Sequence, residues 1–466
     1  MKEETWPCST EYLSVRISRV QVFNYKSLRD VTFLPGGLSL VIGANGAGKS
    51  NLADSFDFIG EIFRDGLDIA IARKGGFENI AHRKKRRTKT PLGFEIEIHL
   101  NQDDVSRYGF YLNPSQRRQQ LRFSIRYKLL IKAASEAIRA DYAVYEEEID
   151  FIDLTDDASR PVFSITRDAG GKVEFANAPE ITVDQGALRV HIPKSASFLE
   201  RLIFTTGEFP LIATARPPIN KDELAASALS RFIPMLRVLR TILARIRVYQ
   251  LHPPSTRKYA SPNPRPELAR DGEALPSVIL QIQRQSEKSS AWEAILAAMR
   301  EVLPELDRIE VRNTASKTLE LVFYERGMER RPWTVDEISD GTIQTLAALV
   351  AISDPGPSFI FLEEPENSVH PWIIRSLIRV CRKSLRNHQI AITSHSPVVM
   401  DEFSPDDITV LWRSHGETNT DLLSTLSPRI AKQWKRGAIS TFDAINSGIV
   451  VEAIPPAPQL ELELAP

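Results

Sequence analysis

The stretch Gly43-Ala44-Asn45-Gly46-Ala47-Gly48-Lys49-Ser50 matches the pattern G-x-x-x-x-G-K-[ST] at every fixed position. In this pattern the glycines let backbone N–H groups curl around phosphate oxygens, because no Cβ stands in the way. The lysine reaches the β- and γ-phosphates, and the hydroxyl that follows it binds Mg²⁺. The sequence therefore predicts a nucleotide-phosphate site, and its candidate residues are Gly43, Asn45, Gly46, Ala47, Gly48, Lys49, Ser50 and Asn51.

The residues on either side of the glycine loop supply the structural context that this pattern needs. Leu38 to Ile42 form an apolar run that is typical of a buried strand. From about Lys49 to Phe63, apolar residues recur at helical spacing. This order places the loop at a helix N-terminus, where the helix dipole favours an anion. An ordinary glycine-rich loop, the alternative interpretation, would not need this context.

A second motif, Phe359-Ile360-Phe361-Leu362-Glu363-Glu364-Pro365-Glu366, is an apolar run that ends in carboxylates. A buried strand of this kind puts its acids at the carboxyl edge of a parallel sheet, where ligands of α/β proteins bind. Glu363 is then a candidate Mg²⁺ ligand, as is the Ser50 hydroxyl. Glu364 is the candidate base that orients and deprotonates an attacking water. The alternative is a strand that ends in solvated charge.

Two further motifs carry less information on their own. Ser339-Asp340-Gly341 precedes an apolar run typical of a helix, so Ser339 is a candidate N-cap and Gly341 would let a phosphate approach the helix amides. A plain N-cap is the alternative. His395 follows another apolar run, Ile390 to Thr393, in the position expected of a γ-phosphate sensor. A structural histidine is the alternative there.

In this order, the four motifs resemble the ABC-type ATPase heads of the RecF, SMC and OLD group. The S-D-G-T and E-E-P-E forms of the motifs resemble its stand-alone bacterial members of AAA type. The resemblance covers about residues 14–80 and 333–412, and Asn24-Tyr25-Lys26-Ser27-Leu28 resembles the N-F-[RK]-S element of the group. It implies an α/β fold, namely a P-loop NTPase head of ABC type with an inserted β-rich lobe and a helical lobe.

The resemblance also implies a role for each motif. The Walker A residues are Lys49 and Ser50, the Walker B residues are Glu363 and Glu364, and the switch histidine is His395. Of these, Glu364 and His395 are the catalytic candidates. The signature, which acts in trans on the nucleotide of another subunit, is Ser339, Asp340 and Gly341. The segment 366–371 resembles the D-loop.

Some features depart from the common pattern of such heads. Asp340 stands where the common signature has glycine, and Glu363 stands where many heads have aspartate. The sequence does not identify a Q-loop, for which Gln119 and Gln120 are candidates by position alone. In heads of this group ATP joins two subunits and hydrolysis releases them, so the resemblance implies ATP and Mg²⁺ as cofactors and a homodimer or higher homo-oligomer.

The motifs and the composition between them predict five segments. Residues 1–90 form the N-terminal part of the ATPase head, 91–220 a β-rich lobe, and 221–318 a helical insert. Residues 319–450 form the C-terminal part of the head, and 451–466 a flexible tail. Strands are predicted at 94–100, 123–131, 142–151 and 162–166, a hairpin turn at 169–172, and a helix from about 221 to 250.

Composition limits the classes of protein that this chain can belong to. The 466 residues are 42% hydrophobic, which excludes a wholly disordered chain, and the formal net charge of −1 excludes nucleic-acid binding by bulk positive charge. Two cysteines cannot form a disulfide framework, so we expect a cytoplasmic location. Without a run of about 18 apolar residues, no membrane partner is expected.

The densest charge cluster is basic and contains Arg83, Lys84, Lys85, Arg86 and Arg87. One interpretation is a contact with the phosphate backbone of DNA or another nucleic acid. The other is a solvated loop, and the sequence does not separate the two.

Together, these features predict an ATP-hydrolysing switch that dimerises on ATP. By analogy with defence ATPases, it would control a separate effector, a nuclease or toxin encoded nearby, against phage. We expect no fused nuclease, because few residues follow His395. One alternative is a RecF-like ATPase of DNA repair and genome maintenance. Another is an assembly scaffold that binds ATP with little turnover.

Overall fold

A computed structural model describes residues 15–82, 90–101, 104, 122–133, 142–154, 161–177, 181–184, 187–190, 199, 203, 212–213, 223–231, 233–284, 290–328, 330–386 and 388–447. The strands in these ranges are β1 (Arg16–Tyr25), β2 (Leu28–Phe33), β3 (Leu38–Gly43), β4 (Leu92–Asn101), β5 (Arg122–Ala133), β6 (Tyr142–Asp153), β7 (Pro161–Arg167), β8 (Val173–Ala176), β9 (Ile181–Asp184), β10 (Ala187–Val190), β11 (Ile212–Ala213), β12 (Ile246–Tyr249), β13 (Leu306–Asn313), β14 (Leu319–Glu325), β15 (Trp333–Thr334), β16 (Phe359–Glu363), β17 (Gln389–Thr393), β18 (Ile408–Ser414) and β19 (Glu417–Leu422).

The helices in the same ranges are α1 (Lys49–Asp65), α2 (Leu67–Arg73), α3 (Phe77–Ile80), α4 (Ala225–Ala228), α5 (Pro234–Ala244), α6 (Pro253–Thr256), α7 (Leu275–Arg284), α8 (Ser290–Val302), α9 (Asp340–Ser353), α10 (Pro371–Ser384), α11 (Pro397–Met400), α12 (Leu423–Leu426), α13 (Pro428–Lys435) and α14 (Thr441–Asn446). Short 3₁₀ turns lie at Leu229–Arg231 and Pro405–Asp407. In the described part of the chain, none of these helices combines the length and the apolar character of a membrane span.

The strand that leads into the glycine loop lies inside a six-stranded sheet with the order β12-β16-β17-β3-β18-β19. Its pairs are parallel except for the hairpin of β18 and β19. In register, Glu363 at the end of β16 is paired with Thr393 at the end of β17, and Thr393 is paired with Val41 of β3. Because parallel strands end at one edge, the loops after β3, β16 and β17 meet there.

The two faces of this sheet pack against different apolar cores. Val41 and Phe361 belong to a core that also contains α1, α5 and the inner residues of a second sheet. Leu40 and Ile42 belong to the core formed with α8, α9 and α10. The alternation follows from strand geometry, since successive side chains point to opposite faces. The helix that begins at Lys49, α1, packs in the first of these cores, between the six-stranded sheet and the second sheet.

The second sheet is antiparallel, with the order β2-β1-β4-β5-β6-β7-β8. It confirms the strands predicted at 94–100, 123–131, 142–151 and 162–166, and the turn between β7 and β8 lies at the predicted hairpin. β1 pairs with β4, so the chain before the glycine loop takes part in this sheet. Gln389 links it to β17, because its side chain accepts from Ile17 N at 2.7 Å and donates to Gly36 O at 2.9 Å.

The helix predicted from about 221 to 250 is wrong at its end. The chain forms α4, a 3₁₀ turn and α5, but Ile246–Tyr249 is strand β12, which pairs in parallel with β16. Isoleucine, valine and tyrosine favour a strand. The apolar residues of α5 hid the change from helical spacing to the alternation of a strand. A strand of the six-stranded sheet that carries the glycine loop therefore lies within the predicted helical insert. The five segment boundaries stay predictions.

The mixed α/β architecture confirms the predicted fold class. A parallel sheet carries the glycine loop between β3 and α1, and the antiparallel sheet covers α1 from the other side. Strands β13, β14 and β15 form a smaller sheet that belongs in part to the core around α9.

A buried histidine next to β17 predicts a pH-dependent stability. His388 is 1% exposed, and burial lowers its pKa to about 4, although the nearby backbone of Ile352 opposes this change. Because the folded pKa lies below the ordinary value of about 6.5, protons bind preferentially to the unfolded chain between these pH values. We expect the free energy of unfolding to be about 2 kcal/mol lower at pH 5 than at pH 7 through this group.

Urea denaturation at the two pH values measures this difference. His388→Gln should lose it, whereas His415→Asn, at an exposed turn position with a φ of +51°, should keep it. An unchanged pH dependence in His388→Gln would assign the effect to other groups.

Candidate functional site

The glycine loop joins β3 to α1 in a conformation that favours glycine. The φ angle is +152° at Gly43, +79° at Gly46 and +116° at Gly48. A Cβ at Gly43 would lie 2.1 Å from the backbone oxygen of Leu411, and one at Gly48 would lie 2.5 Å from Thr418 Oγ1. A Cβ at Gly46 would meet no atom within 4 Å. The loop is therefore packed tightly against β18 and β19 and is open at Gly46.

Lys49 begins α1, and its side chain folds back over the loop. The residue is only 6% exposed, and Nζ donates to Gly43 O at 2.9 Å and to Ala44 O at 3.3 Å. Burial lowers the pKa of Lys49, while the carboxylates of Glu364 and Glu366 oppose this change. A cation held by carbonyl oxygens can exchange them for phosphate oxygens, which bind it more strongly.

A hydrogen-bonded brace supports the loop from behind. Thr418 Oγ1 donates to Ala47 O at 2.8 Å and lies 2.8 Å from Ser27 Oγ. Asn51 Nδ2 donates to the same Ser27 oxygen at 2.8 Å. Asn51, predicted to bind nucleotide, thus directs its side chain to this brace, whereas Asn45 is exposed on the loop.

The neighbours of Ser27 bind the first helix through one carboxylate. Tyr25 Oη donates to Asp54 Oδ2 at 2.7 Å, Lys26 pairs with the same oxygen, and Lys74 Nζ lies 2.8 Å from Oδ1. Burial raises the pKa of Asp54, but Lys74 and the hydrogen bonds from Lys26 and Tyr25 outweigh it, so the pKa is well below the usual range. The element at 24–28 therefore fixes α1 behind the glycine loop.

Glu363 ends β16 with a side chain that is only 2% exposed. Arg270 Nη2 donates to its Oε1 at 2.6 Å. Burial raises the pKa of Glu363, and the guanidinium of Arg270 and a hydrogen bond with Ser50 oppose this rise. The two predicted Mg²⁺ ligands, Ser50 and Glu363, are therefore neighbours, and Arg270 is a further neighbour that the sequence did not reveal.

Glu364 has a φ of +44°, which is rare for a residue with a Cβ. Its backbone N–H donates to Thr393 O at 3.0 Å and to Thr393 Oγ1 at 3.1 Å, and Asn367 Nδ2 donates to its Oε2 at 3.1 Å. The side chain is 39% exposed, and its Oε1 lies 3.9 Å from His395 Nε2. The end of β17 thus turns this carboxylate out of the sheet beside the histidine.

His395 lies between Glu364 and the lysine of the glycine loop. Burial and the nearby Lys49 cation lower the pKa of His395, and Glu364 and Glu366 oppose them. Glu366 Oε1 fixes this segment, since it accepts from Ser394 Oγ at 2.6 Å and from His395 N at 2.9 Å. The predicted switch histidine therefore shares one electrostatic environment with Lys49 and Glu364.

The signature residues have different neighbours. Ser339 caps α9 as an N-cap should, since its Oγ accepts from Thr342 N at 3.3 Å. Asp340 Oδ1 accepts from Arg257 Nη2 at 2.7 Å. A Cβ at Gly341 would lie 2.3 Å from Ser368 O, so this glycine lets the helix pack against the predicted D-loop. Access of a phosphate to Gly341 stays a prediction.

Several predicted site residues lie outside the described residues. They are Arg83, Lys84, Lys85, Arg86 and Arg87 of the basic run and the Q-loop candidates Gln119 and Gln120. A glutamine that the sequence analysis did not consider lies at the carboxyl edge. Gln250 directly follows β12, whose Tyr249 is paired with Leu362 of β16, and it is exposed. The mistaken helix prediction hid its position.

The family model described as "AAA domain, putative AbiEii toxin, Type IV TA system" matches residues 38–401. This range runs from β3 to α11 and includes the glycine loop, both carboxylates of β16 and His395. The chain belongs to this AAA-domain family.

The search of curated proteins returns no match. Among solved structures, the chain is similar to an SMC head bound to the C-terminal winged-helix domain of ScpA, with 14% identity over 88% of this chain and 99% of that chain and a TM-score of 0.45. It is also similar to the SMC head domain from Thermotoga maritima, with 11% identity over 87% and 98% and a TM-score of 0.35. A third is the Smc head with an extended coiled coil bound to the C-terminal domain of ScpA from Pyrococcus furiosus, with 12% identity over 90% and 100% and a TM-score of 0.45.

The site of this AAA-domain protein fits a nucleotide and a magnesium ion. The loop is open at Gly46, where a Cβ would meet no atom within 4 Å, and Lys49 Nζ lies against the loop carbonyls of Gly43 and Ala44. The hydroxyl of Ser50 and the carboxylate of Glu363 are hard oxygen ligands of the kind that Mg²⁺ prefers. Among the described residues, no three or more His, Cys, Asp or Glu side chains are grouped so that they could hold a metal ion by themselves.

Proposed function

We propose that this AAA-domain protein hydrolyses ATP and uses it as a switch between separate and paired subunits. One observation carries the proposal: Lys49, Glu363, Glu364 and His395 meet at the carboxyl edge of β3, β16 and β17. Those are the groups that phosphoryl transfer to water needs, since its catalysis consists of positioning and of charge stabilisation.

Each residue has a task that follows from its contacts. Lys49 exchanges its carbonyl partners in the loop for the β- and γ-phosphate oxygens. Glu364, turned out of the sheet and half-exposed, accepts the proton of the attacking water. His395, whose pKa is lowered by burial, is a neutral imidazole that can hydrogen-bond to the γ-phosphate beside that water.

Ser50 and Glu363 would hold Mg²⁺, which neutralises charge that develops on the phosphates. Glu363 is held by Arg270 and sits next to Ser50, so both ligands are already oriented at the end of β16 and the start of α1. Asn51 and Ser27 keep α1 in place behind them.

Dimerisation would bring the signature of one subunit to the nucleotide of another. The signature residues interact with Arg257 and pack against Ser368, whereas the glycine loop interacts with Ser27 and Thr418. A signature whose contacts differ from those of the loop is compatible with a composite site, in which each subunit supplies one of the two. The packing of Gly341 on Ser368 would let the two segments move as one unit.

A mixing experiment tests the shared site. Lys49→Ala removes the phosphate contact and Ser339→Arg blocks the signature, so each variant alone should be inactive. An equal mixture should regain about a quarter of the wild-type ATPase rate, because half of the dimers carry one intact composite site of two. Steady-state phosphate release measures it.

The matched control mixes Lys49→Ala with Glu364→Gln. Both changes affect the same half of the composite site, so this mixture should stay inactive. Full activity of Ser339→Arg alone, or no gain on mixing it with Lys49→Ala, would contradict the proposed dimer.

The link to defence rests on the family description, which names a toxin of a toxin–antitoxin system. We propose that the paired state of this ATPase controls an effector, a nuclease or toxin encoded nearby, during phage infection. Contact of the basic run with nucleic acid, through Arg83 to Arg87, is a way in which the infection could be sensed.

A further inference from the structure

Arg270 belongs to none of the sequence motifs, and the proposed function gives it no task beyond its contact with Glu363. It lies on the loop that follows β12, and two backbone hydrogen bonds hold this loop to the end of that strand: Gln250 N donates to Arg270 O at 2.8 Å, and His252 N donates to Asp271 O at 3.0 Å. Gly272 completes the turn, since a Cβ there would lie 2.3 Å from Thr256 Cγ2. The backbone of Arg270 is thus fixed at the carboxyl edge.

The guanidinium of Arg270 joins two groups of carboxylates. Nη2 donates to Glu363 Oε1 at 2.6 Å, while Nη1 lies 3.1 Å from both Asp54 Oδ1 and Asp57 Oδ2 of α1. Burial lowers the pKa of Arg270, but Glu363 and Asp57 outweigh it, so its pKa lies above the ordinary value. The planar group therefore holds its partners with two different nitrogens.

We propose that Arg270 is a positioning residue that competes with Mg²⁺ for the Glu363 carboxylate. Its ion pairs with Asp54 and Asp57 persist when the metal ion binds. The inference rests on the proposed function, because it takes Glu363 as a metal ligand. A guanidinium and a divalent cation on one buried carboxylate repel each other strongly in a medium of low dielectric constant. Metal binding therefore favours release of Nη2 from Glu363.

Asp54 and Asp57 of α1 keep hold of Arg270 during this exchange, so only the contact with Glu363 has to break. When Nη2 leaves Glu363, Nη1 keeps both aspartates, so the arginine does not become an unpaired charge. Lys74 also holds Asp54 and Asp57, at 2.8 and 2.7 Å, which keeps the carboxylates in place throughout. Binding of a metal ion at Glu363 therefore changes a contact of the loop after β12, which carries Arg270 and lies at the same carboxyl edge of the sheet.

The test measures metal affinity rather than turnover. Mn²⁺ is titrated into the full chain loaded with ADP, and the free ion is followed by electron paramagnetic resonance. Arg270→Gln should bind Mn²⁺ about tenfold more tightly than wild type, because the competing cation is gone. Arg270→Lys, which keeps the charge but cannot span both groups of carboxylates, should lie in between.

A double-mutant cycle separates competition from a structural role. On the Glu363→Gln background, which lacks the contested carboxylate, Arg270→Gln should change Mn²⁺ affinity less than twofold. Unchanged or weaker Mn²⁺ binding in Arg270→Gln, with ADP bound as in wild type, would overturn the inference and leave the ATPase proposal standing. Failure of the wild type to bind ADP would overturn both.

Discussion

Replacing Lys49 by alanine is expected to lower ATP affinity by about 10- to 100-fold and ATP hydrolysis by about 100-fold or more. Nζ is the buried cation at the glycine loop, with two carbonyl oxygens as its partners. The variant loses the charge-assisted bonds to phosphate, each worth about 1.5–3 kcal/mol, and also the charge that stabilises the transition state. Binding of a fluorescent ATP analogue and phosphate release measure the two effects.

The matched control is Lys432→Ala, which removes an exposed lysine from α13 and should leave both quantities unchanged. Thermal melting without nucleotide checks that Lys49→Ala is folded. Wild-type hydrolysis by a folded Lys49→Ala protein would remove the glycine loop from the proposed site. In cells that also carry the effector gene proposed above, the same variant should lose protection against phage. Retained protection would contradict control of the effector by ATP.

Replacing Glu364 by glutamine should separate the two steps: ATP hydrolysis should fall, but ATP binding should be kept. The amide keeps the size of the side chain but cannot accept the proton of the attacking water, so hydrolysis should fall by about 10²- to 10⁴-fold. ATP binding should remain, since Lys49 and the loop are unchanged. The variant should therefore accumulate as an ATP-bound dimer, which light scattering detects.

Glu301→Gln is the control for this experiment, because Glu301 is an exposed carboxylate of α8 that pairs with Arg379. It should hydrolyse ATP like wild type and should not accumulate as a dimer. A Glu364→Gln protein that binds ATP and stays monomeric would contradict the composite site. One that hydrolyses ATP at the wild-type rate would remove Glu364 as the base.

The local pattern of residues predicted the elements around the glycine loop well. Apolar runs and helical spacing identified β3 and α1, and strict alternation identified β4. These elements obey simple periods because each has a single buried face or is buried on both. The prediction of where α5 ends was wrong, because Ile246 continues the apolar stripe of the helix and is also the first residue of a buried strand.

The residues of the candidate site also fall into those that the sequence predicts and those that only the structure reveals. The sequence alone determined the loop around Lys49, the carboxylate pair at the end of an apolar strand, and the polar segment at His395, because each lies in one short stretch whose residue types encode its chemistry. Only the tertiary structure decided that these stretches meet at one sheet edge and that β12 borders it. It also revealed Arg270 on Glu363 and Thr418 behind the loop. Their partners are distant along the chain, and no local period encodes a contact that depends on strand order and register.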